Sequence, residues 1–215
     1  MRLNFWVKKG TQERNKKILF IHIPKNAGTS VNHVLSSNGK NLWKRNDDFN
    51  YHDPYFLLQQ NNPEIILYDP FIFSIVRNPF TRIFSCFKHF NVINHQNISF
   101  DEYLELCKNK KNNVKDGDIP FWKTPMIFYP QSLFLYDSGG YLLKENIYRF
   151  ENLSPLERKI SKLIGRNIKF PLLNINGNSG YYKSYTSKNI EIVKDLFSID
   201  FDNFKYSTNF EESNE

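Results

Sequence analysis

The sequence predicts an α/β fold, and two junctions of the same design predict it. "ILFIHI" at 18–23 is a continuous apolar, β-branched run, as expected of a strand buried on both faces. It passes through "PKNAG" into "TSVNHVLSS", where Val31, Val34 and Leu35 recur at helical spacing. "FIFSIVR" at 71–77 repeats the pattern and leads into "NPFTRIFSCFKHF". Strand, tight turn and helix, met twice, open α/β units. Size agrees: 215 residues suffice for one domain with a full core, and no internal repeat or linker divides the chain. The expected domain is 1–215, with 1–17 a polar, basic lead-in and 207–215 a polar tail.

The elements follow in order. Thr29 or Ser30 can cap the first helix. Residues 38–63, rich in Asn, Asp and Tyr and containing "NYHDPYFLLQQ", read as irregular. In the second junction Asn78 is the expected cap and Pro79 the first helical residue. Phe80, Ile83, Phe84, Phe87 and Phe90 then share one face, beside a polar stripe of Arg82, Ser85 and His89. "SFDEYLELCKNK" opens with a capping box from Ser99 to Glu102. Residues 108–118 read as a basic, Asn-rich loop, and 119–146 as short apolar pieces between turns. "NIYRF" at 146–150 suggests another strand. "SPLERKISKLIG" is a helix with Ser154 as cap, Glu157 closing a box and Gly165 as stop. "NINGNSGYYKSYTS" at 174–187 is a polar loop, "KNIEIVKDLF" a last helix and "SIDFDNFKY" its tail.

Composition narrows the class. A hydrophobic fraction of 40% with 20 Phe and 12 Tyr belongs to a folded chain and excludes a disordered one. The net charge of +7 suits an anionic partner such as a nucleotide, a nucleic acid or an acidic glycan; a solvated basic surface explains it equally well. Cys86 and Cys107 are too few for a disulfide framework or a zinc quartet, and both fall in helical stretches as expected buried thiols. No stretch approaches the ~18 apolar residues of a membrane span. The start, "MRLNFWVKKGTQERNKK", lacks the apolar centre of a secretory signal. The expectation is a soluble protein of a reducing compartment.

The first junction carries chemistry. A strand aims "PKNAGTS" at a helix start, where unpaired backbone N–H groups and the helix dipole favour an anion. Lys25 adds a full charge, Gly28 lets the backbone come close, and Thr29 and Ser30 add hydroxyl donors. The order differs from a magnesium-nucleotide loop, G-x-x-x-x-G-K-[ST], whose final hydroxyl binds the metal. ATP or GTP hydrolysis, and a P-loop kinase, are therefore disfavoured, and an anion site without a metal fits better. At the second junction Arg77 ends a strand with a planar fork suited to phosphate, and Ser85 follows in the helix.

These two motifs carry a family resemblance. "IHIPKNAGTS" resembles the 5′-phosphosulfate loop of the sulfotransferases, in particular the carbohydrate branch that includes the heparan sulfate 2-O-sulfotransferases. "FSIVRNPFTRIFSCF" resembles that family's 3′-phosphate motif, and "YRFENL" and "DFDNFKY" resemble recurring segments of the same branch. The likeness spans roughly 18–206. It implies a P-loop NTPase-like, three-layer fold with a central, mainly parallel sheet flanked by helices. It implies 3′-phosphoadenosine 5′-phosphosulfate (PAPS) as sulfuryl donor, PAP as product, and no metal. Lys25, Asn26, Ala27, Gly28, Thr29 and Ser30 would hold the phosphosulfate, and Arg77 and Ser85 the 3′-phosphate. "NINGNSGYYKSY" is the candidate for a late loop over the nucleotide.

Sulfuryl transfer, like phosphoryl transfer, is in-line displacement through a loose transition state, so positioning and charge stabilisation dominate. Lys25 is the expected stabiliser of charge at the donor's bridging oxygen. A general base must take the acceptor's proton, and a His suits it. His22 lies in the first strand, His33 and His89 in helices and His95 in an Asn-rich loop. His52, in "NYHDPYF", resembles the catalytic His of the glycan 2-O-sulfotransferases in its Tyr-His setting and its distance ahead of the 3′-phosphate motif, although a His-x-His pattern is missing. His52 is the expected base; Asp53 could orient it, or Glu64 could itself be the base. The expected acceptor is a hydroxyl, by resemblance a saccharide or glycan, with a small alcohol as the other possibility. No nucleic-acid partner and no transmembrane segment are expected; the expected location is the cytoplasm, as a bacterial-type soluble enzyme, with a membrane-associated glycan assembly site as the alternative. The rival readings are a nucleotide-dependent kinase or NTPase, and a non-catalytic nucleotide- or glycan-binding protein of the same fold.

Overall fold

The two apolar runs are neighbouring strands of one sheet. The computed structural model of the chain describes residues 5–8, 17–37, 43–45, 52–61, 63, 70–115, 126–171 and 181–214. Two compact units emerge: Met1–Val76 with Phe134–Asn174, and Arg77–Leu133 with Ile175–Glu215.

The first unit holds a five-stranded sheet. Its strands are β1 (Phe5–Lys8), β2 (Lys17–Ile21), β3 (Trp43–Arg45), β4 (Phe71–Val76) and β5 (Ile147–Arg149), in the order β3-β1-β2-β4-β5. β2, β4 and β5 are parallel, with Ile21 opposite Ser74 and Val76 opposite Arg149. This parallel set, flanked by helices, is the expected α/β architecture. β1 pairs antiparallel with β2 and β3, so one edge of the sheet is antiparallel.

Ile18 and Phe20 of β2 and Phe73 and Ile75 of β4 share a face, as period-two alternation requires. Against them pack Val31, Val34 and Leu35 of α1 (Gly28–Ser37) and Leu156, Ile160 and Ile164 of α5 (Ser154–Ile164). Leu19 and Ile21, of opposite parity, are fully buried too, which is why the run is continuous rather than alternating.

Several expectations in this unit are corrected. Within the expected lead-in, Phe5–Lys8 is a strand of the sheet, and in the segment read as irregular lie β3 and α2 (Tyr55–Asn61). α1 begins at Gly28, with the Val31 N–H donating to the Ala27 carbonyl at 3.0 Å, so Thr29 and Ser30 sit inside its first turn rather than capping it. Ser154 is likewise inside α5, which starts from Leu153 without a side-chain cap. Glu157 closes no box. Its carboxylate accepts from the Phe170 N–H at 2.9 Å and from Lys169 Nζ at 3.0 Å, fastening the segment that follows α5. Gly165 ends α5 in the left-handed region (φ 74°, ψ 25°), as expected of a helix stop.

The second unit is helical with an aromatic core. α3 (Pro79–Ile93) is capped by Asn78, whose Oδ1 accepts from the Phe80 N–H at 2.9 Å. α4 (Phe100–Lys115) opens on the expected capping box: the Ser99 N–H donates to Glu102 Oε2 at 2.7 Å, and the Glu102 N–H to Ser99 Oγ at 3.2 Å. α4 runs on through the basic, Asn-rich stretch to Lys115, so 108–115 is helix rather than loop. α6 (Ser187–Leu196) is capped by Thr186, and the tail "SIDFDNF" forms α7 (Ser198–Phe204).

Phe80, Phe84, Phe100 and Tyr185 meet edge-to-face, for example Phe84 and Phe100 at 5.5 Å and 80°. Each such pair adds about 0.5–1.5 kcal/mol beyond its buried area. Phe210, in the expected polar tail, joins this core against Phe80, Tyr181 and Tyr185. Cys86 and Cys107 are buried, as expected, and burial pushes the Cys107 thiol well up. Among the described residues no helix is long and apolar enough to cross a membrane.

Candidate active site

The loop after β2 is strained at two residues. Lys25 and Ala27 hold φ of 69° and 59°, and Asn26 between them does not. A left-handed residue with a Cβ costs on the order of 1–3 kcal/mol and persists where the surroundings over-determine it. Alternating handedness turns successive N–H groups toward one point, the arrangement of an anion-binding nest. Two contacts impose it. The Asn26 N–H donates to the Ile23 carbonyl at 3.3 Å, and its side-chain Nδ2 donates to the Ile75 carbonyl of β4 at 2.7 Å. Asn26 is fully buried, so its side chain anchors the loop to the sheet. Ser74 Oγ adds a second tie, donating to the Ile21 carbonyl at 2.7 Å. Lys25 and Ala27 are half-buried, Thr29 is exposed, and Gly28 and Ser30 are buried.

Gly28 has a reason the sequence does not disclose. A Cβ there would fall inside the imidazole of His22. His22 is buried just past the end of β2, stacked on Phe20 at 5.2 Å and against His52 at 4.3 Å between ring centroids. With the Phe20 and His52 rings packed against it, the imidazole has little room to retreat. Gly28→Ala is therefore expected to destabilise the protein by about 1–3 kcal/mol, the cost of overpacking a core position. Urea denaturation checks it, and an unchanged midpoint would show that His22 moves aside freely.

His22 also supports His52. Nδ1 of His52 lies 2.9 Å from the His22 carbonyl oxygen. A carbonyl only accepts, so Nδ1 carries the proton and Nε2 of the neutral ring keeps its lone pair. That is the tautomer a general base requires. The group that orients the ring at Nδ1 is thus the main chain at His22, where the sequence suggested Asp53. Asp53 is buried at the turn before α2, and Glu64 lies outside the described residues. His22 contacts Gly28 through its ring and His52 through its carbonyl. No signal in the sequence marks that double role.

Arg77 and Ser85 belong to the second unit. Arg77 directly follows β4 and is 5% exposed. Its Nε donates to Thr81 Oγ1 at 3.0 Å, and Thr81 donates to the Asn78 carbonyl at 3.1 Å, which fixes the plane of the guanidinium. Gln131 holds its backbone from both sides: Arg77 N–H to Gln131 Oε1, and Gln131 Nε2 to the Arg77 carbonyl, each at 2.8 Å. Ser85 lies half-buried on α3. Its expected stripe partner Arg82 points inward instead, donating from Nη1 to the Tyr129 carbonyl at 2.9 Å. Of the other histidines, His33 and His95 are exposed and His89 is half-buried. Residues 174–180 of the candidate covering loop lie outside the described residues; 181–184 form a single helical turn with Tyr181 in the aromatic core.

A family model described as the sulfotransferase family matches residues 10–207 of the chain. Neither a curated protein nor a solved structure matches it.

Proposed function

The chain belongs to the sulfotransferase family, and on that premise we propose that it moves the sulfuryl group of PAPS to a hydroxyl of a carbohydrate acceptor. The observation that carries the reading is the strained loop at 24–28, whose geometry suits a tetrahedral anion and which holds Lys25 at its centre. In this reading the main-chain amides of Ala27–Ser30 and the side chains of Lys25, Thr29 and Ser30 bind the phosphosulfate, while Asn26, whose N–H is given to the Ile23 carbonyl, shapes the loop. Arg77 and Ser85, by family resemblance, bind the 3′-phosphate.

The acceptor oxygen attacks sulfur in line with the bridging oxygen. A new S–O bond forms as the bridging S–O bond breaks, and its electron pair passes to the phosphate of PAP. His52 Nε2 takes the acceptor's proton, and Lys25 Nζ faces the charge that grows on the departing oxygen. No step calls for a metal. The basic balance of the chain suits an anionic donor and an acidic glycan alike.

Ligand-dependent thermal unfolding tests the donor. PAP at about 100 times its dissociation constant should add about 2.7 kcal/mol, worth roughly 2–4 °C per kcal/mol for a chain of this size. Adenosine 5′-phosphate and ATP at the same concentration should add much less. Equal shifts from PAP and adenosine 5′-phosphate would refute a 3′-phosphate site. The acceptor is tested by PAP release from PAPS: polysaccharides should stimulate it, and stimulation by small alcohols alone would exclude a glycan acceptor.

A further inference from the structure

We propose that Gln131, held in place by the buried carboxylate of Asp200, is a positioning residue for Arg77 and thereby for recognition of the donor's 3′-phosphate. It rests on the reading of Arg77 given above.

β4 ends at Val76, so the main chain at Arg77 has left the parallel ladder and its N–H and C=O need other partners. The carboxamide of Gln131 presents an acceptor and a donor in one plane and meets both groups, as a neighbouring strand would. Gln131 is itself fully buried. Its N–H donates to Asp200 Oδ2 at 2.7 Å. The Ser132 N–H and Oγ donate to Asp200 Oδ1 at 2.8 and 2.7 Å, and Asn203 Nδ2 donates to Ser132 Oγ at 3.1 Å. Asp200 and Asn203 both come from α7, the "DFDNF" segment whose role the motif reading left unassigned.

A buried carboxylate is costly. Burial raises the Asp200 carboxyl above its usual range, and the Arg82 charge and the bonds from Gln131 and Ser132 work against that rise. What the carboxylate secures is one turn, 131–132, and what that turn secures is the backbone under Arg77. With Thr81 fixing Nε, the guanidinium is held at both its root and its plane. A bidentate phosphate contact depends on this kind of preorganisation, because a small misplacement forfeits it.

Calorimetric titration of PAP and adenosine 5′-phosphate into the full chain tests the proposal, using wild type, Gln131→Met, Gln131→Glu and Arg77→Ala. Gln131→Glu keeps the volume and an acceptor for the Arg77 N–H but sets a carboxyl oxygen in place of the donor to the Arg77 carbonyl, so it decides the matter where the Met variant does not fold. Both Gln131 variants should lose about tenfold or more in PAP affinity, the value of one charged hydrogen bond from Arg77 to the 3′-phosphate, with adenosine 5′-phosphate affinity within about twofold of wild type. A merely structural role would weaken both ligands together, and that result overturns the proposal. So does an unchanged preference for PAP in the Gln131 variants when Arg77→Ala abolishes it. If Arg77→Ala itself keeps the preference, the reading of Arg77 fails, and the role of Gln131 falls with it.

Discussion

Replacing Lys25 by alanine is expected to lower kcat by about 10²–10³-fold or more, the scale seen when one stabiliser of a developing oxyanion is removed. The substitution isolates the ammonium group. Lys25 sits at φ 69°, and alanine carries the same Cβ penalty there, so the loop keeps its backbone constraint. The Asn26 tie to β4 and the Gly28–His22 packing do not involve the Lys25 side chain. Lys25→Arg should restore little, because a planar fork does not replace a compact point charge aimed at one oxygen. Single-turnover kinetics with PAPS, beside PAP titration, separates chemistry from binding. A Lys25→Ala variant with kcat within a few-fold of wild type would remove Lys25 from the transition state.

His52→Ala is expected to slow turnover by about 10²–10⁴-fold, the usual contribution of a general base, with PAP affinity kept. His52→Asn sharpens the test. An Asn side chain can donate to the His22 carbonyl from Nδ2, as His52 does from Nδ1, but offers no basic nitrogen. Both variants should therefore be slow to a similar degree. If His52→Asn turns over normally, the role of the side chain is to brace the loop through His22, and the base lies elsewhere.

The local signals were legible because their causes are local. Asn78 and Ser99 cap the helices they precede, Gly165 ends α5, and the apolar runs at 18–21 and 71–76 are strands. The two strand–loop–helix junctions, with Lys25 and Arg77 in them, lie where the pattern put them. Two cap assignments failed for a local reason as well. Thr29, Ser30 and Ser154 are good cap residues, but Ala27 and Leu153 precede them at the turn, and a helix begins where the chain enters the helical region rather than at the best capping residue.

What the sequence determined by itself is the α/β class, the two strand–loop–helix junctions and the family, because each is written in contiguous residues. Only the tertiary structure decided what holds those junctions in place. β1 joins the sheet because β2 offers it an open edge, which the polar composition of 1–17 conceals. His22 explains Gly28 and sets the tautomer of His52 across a gap of 30 positions. Gln131 reaches Arg77 across 54, and Asp200 reaches Gln131 across 69. These partners share no motif, since a buried polar group needs only a complementary group at hydrogen-bond distance, and the fold brings that group from wherever in the chain it lies.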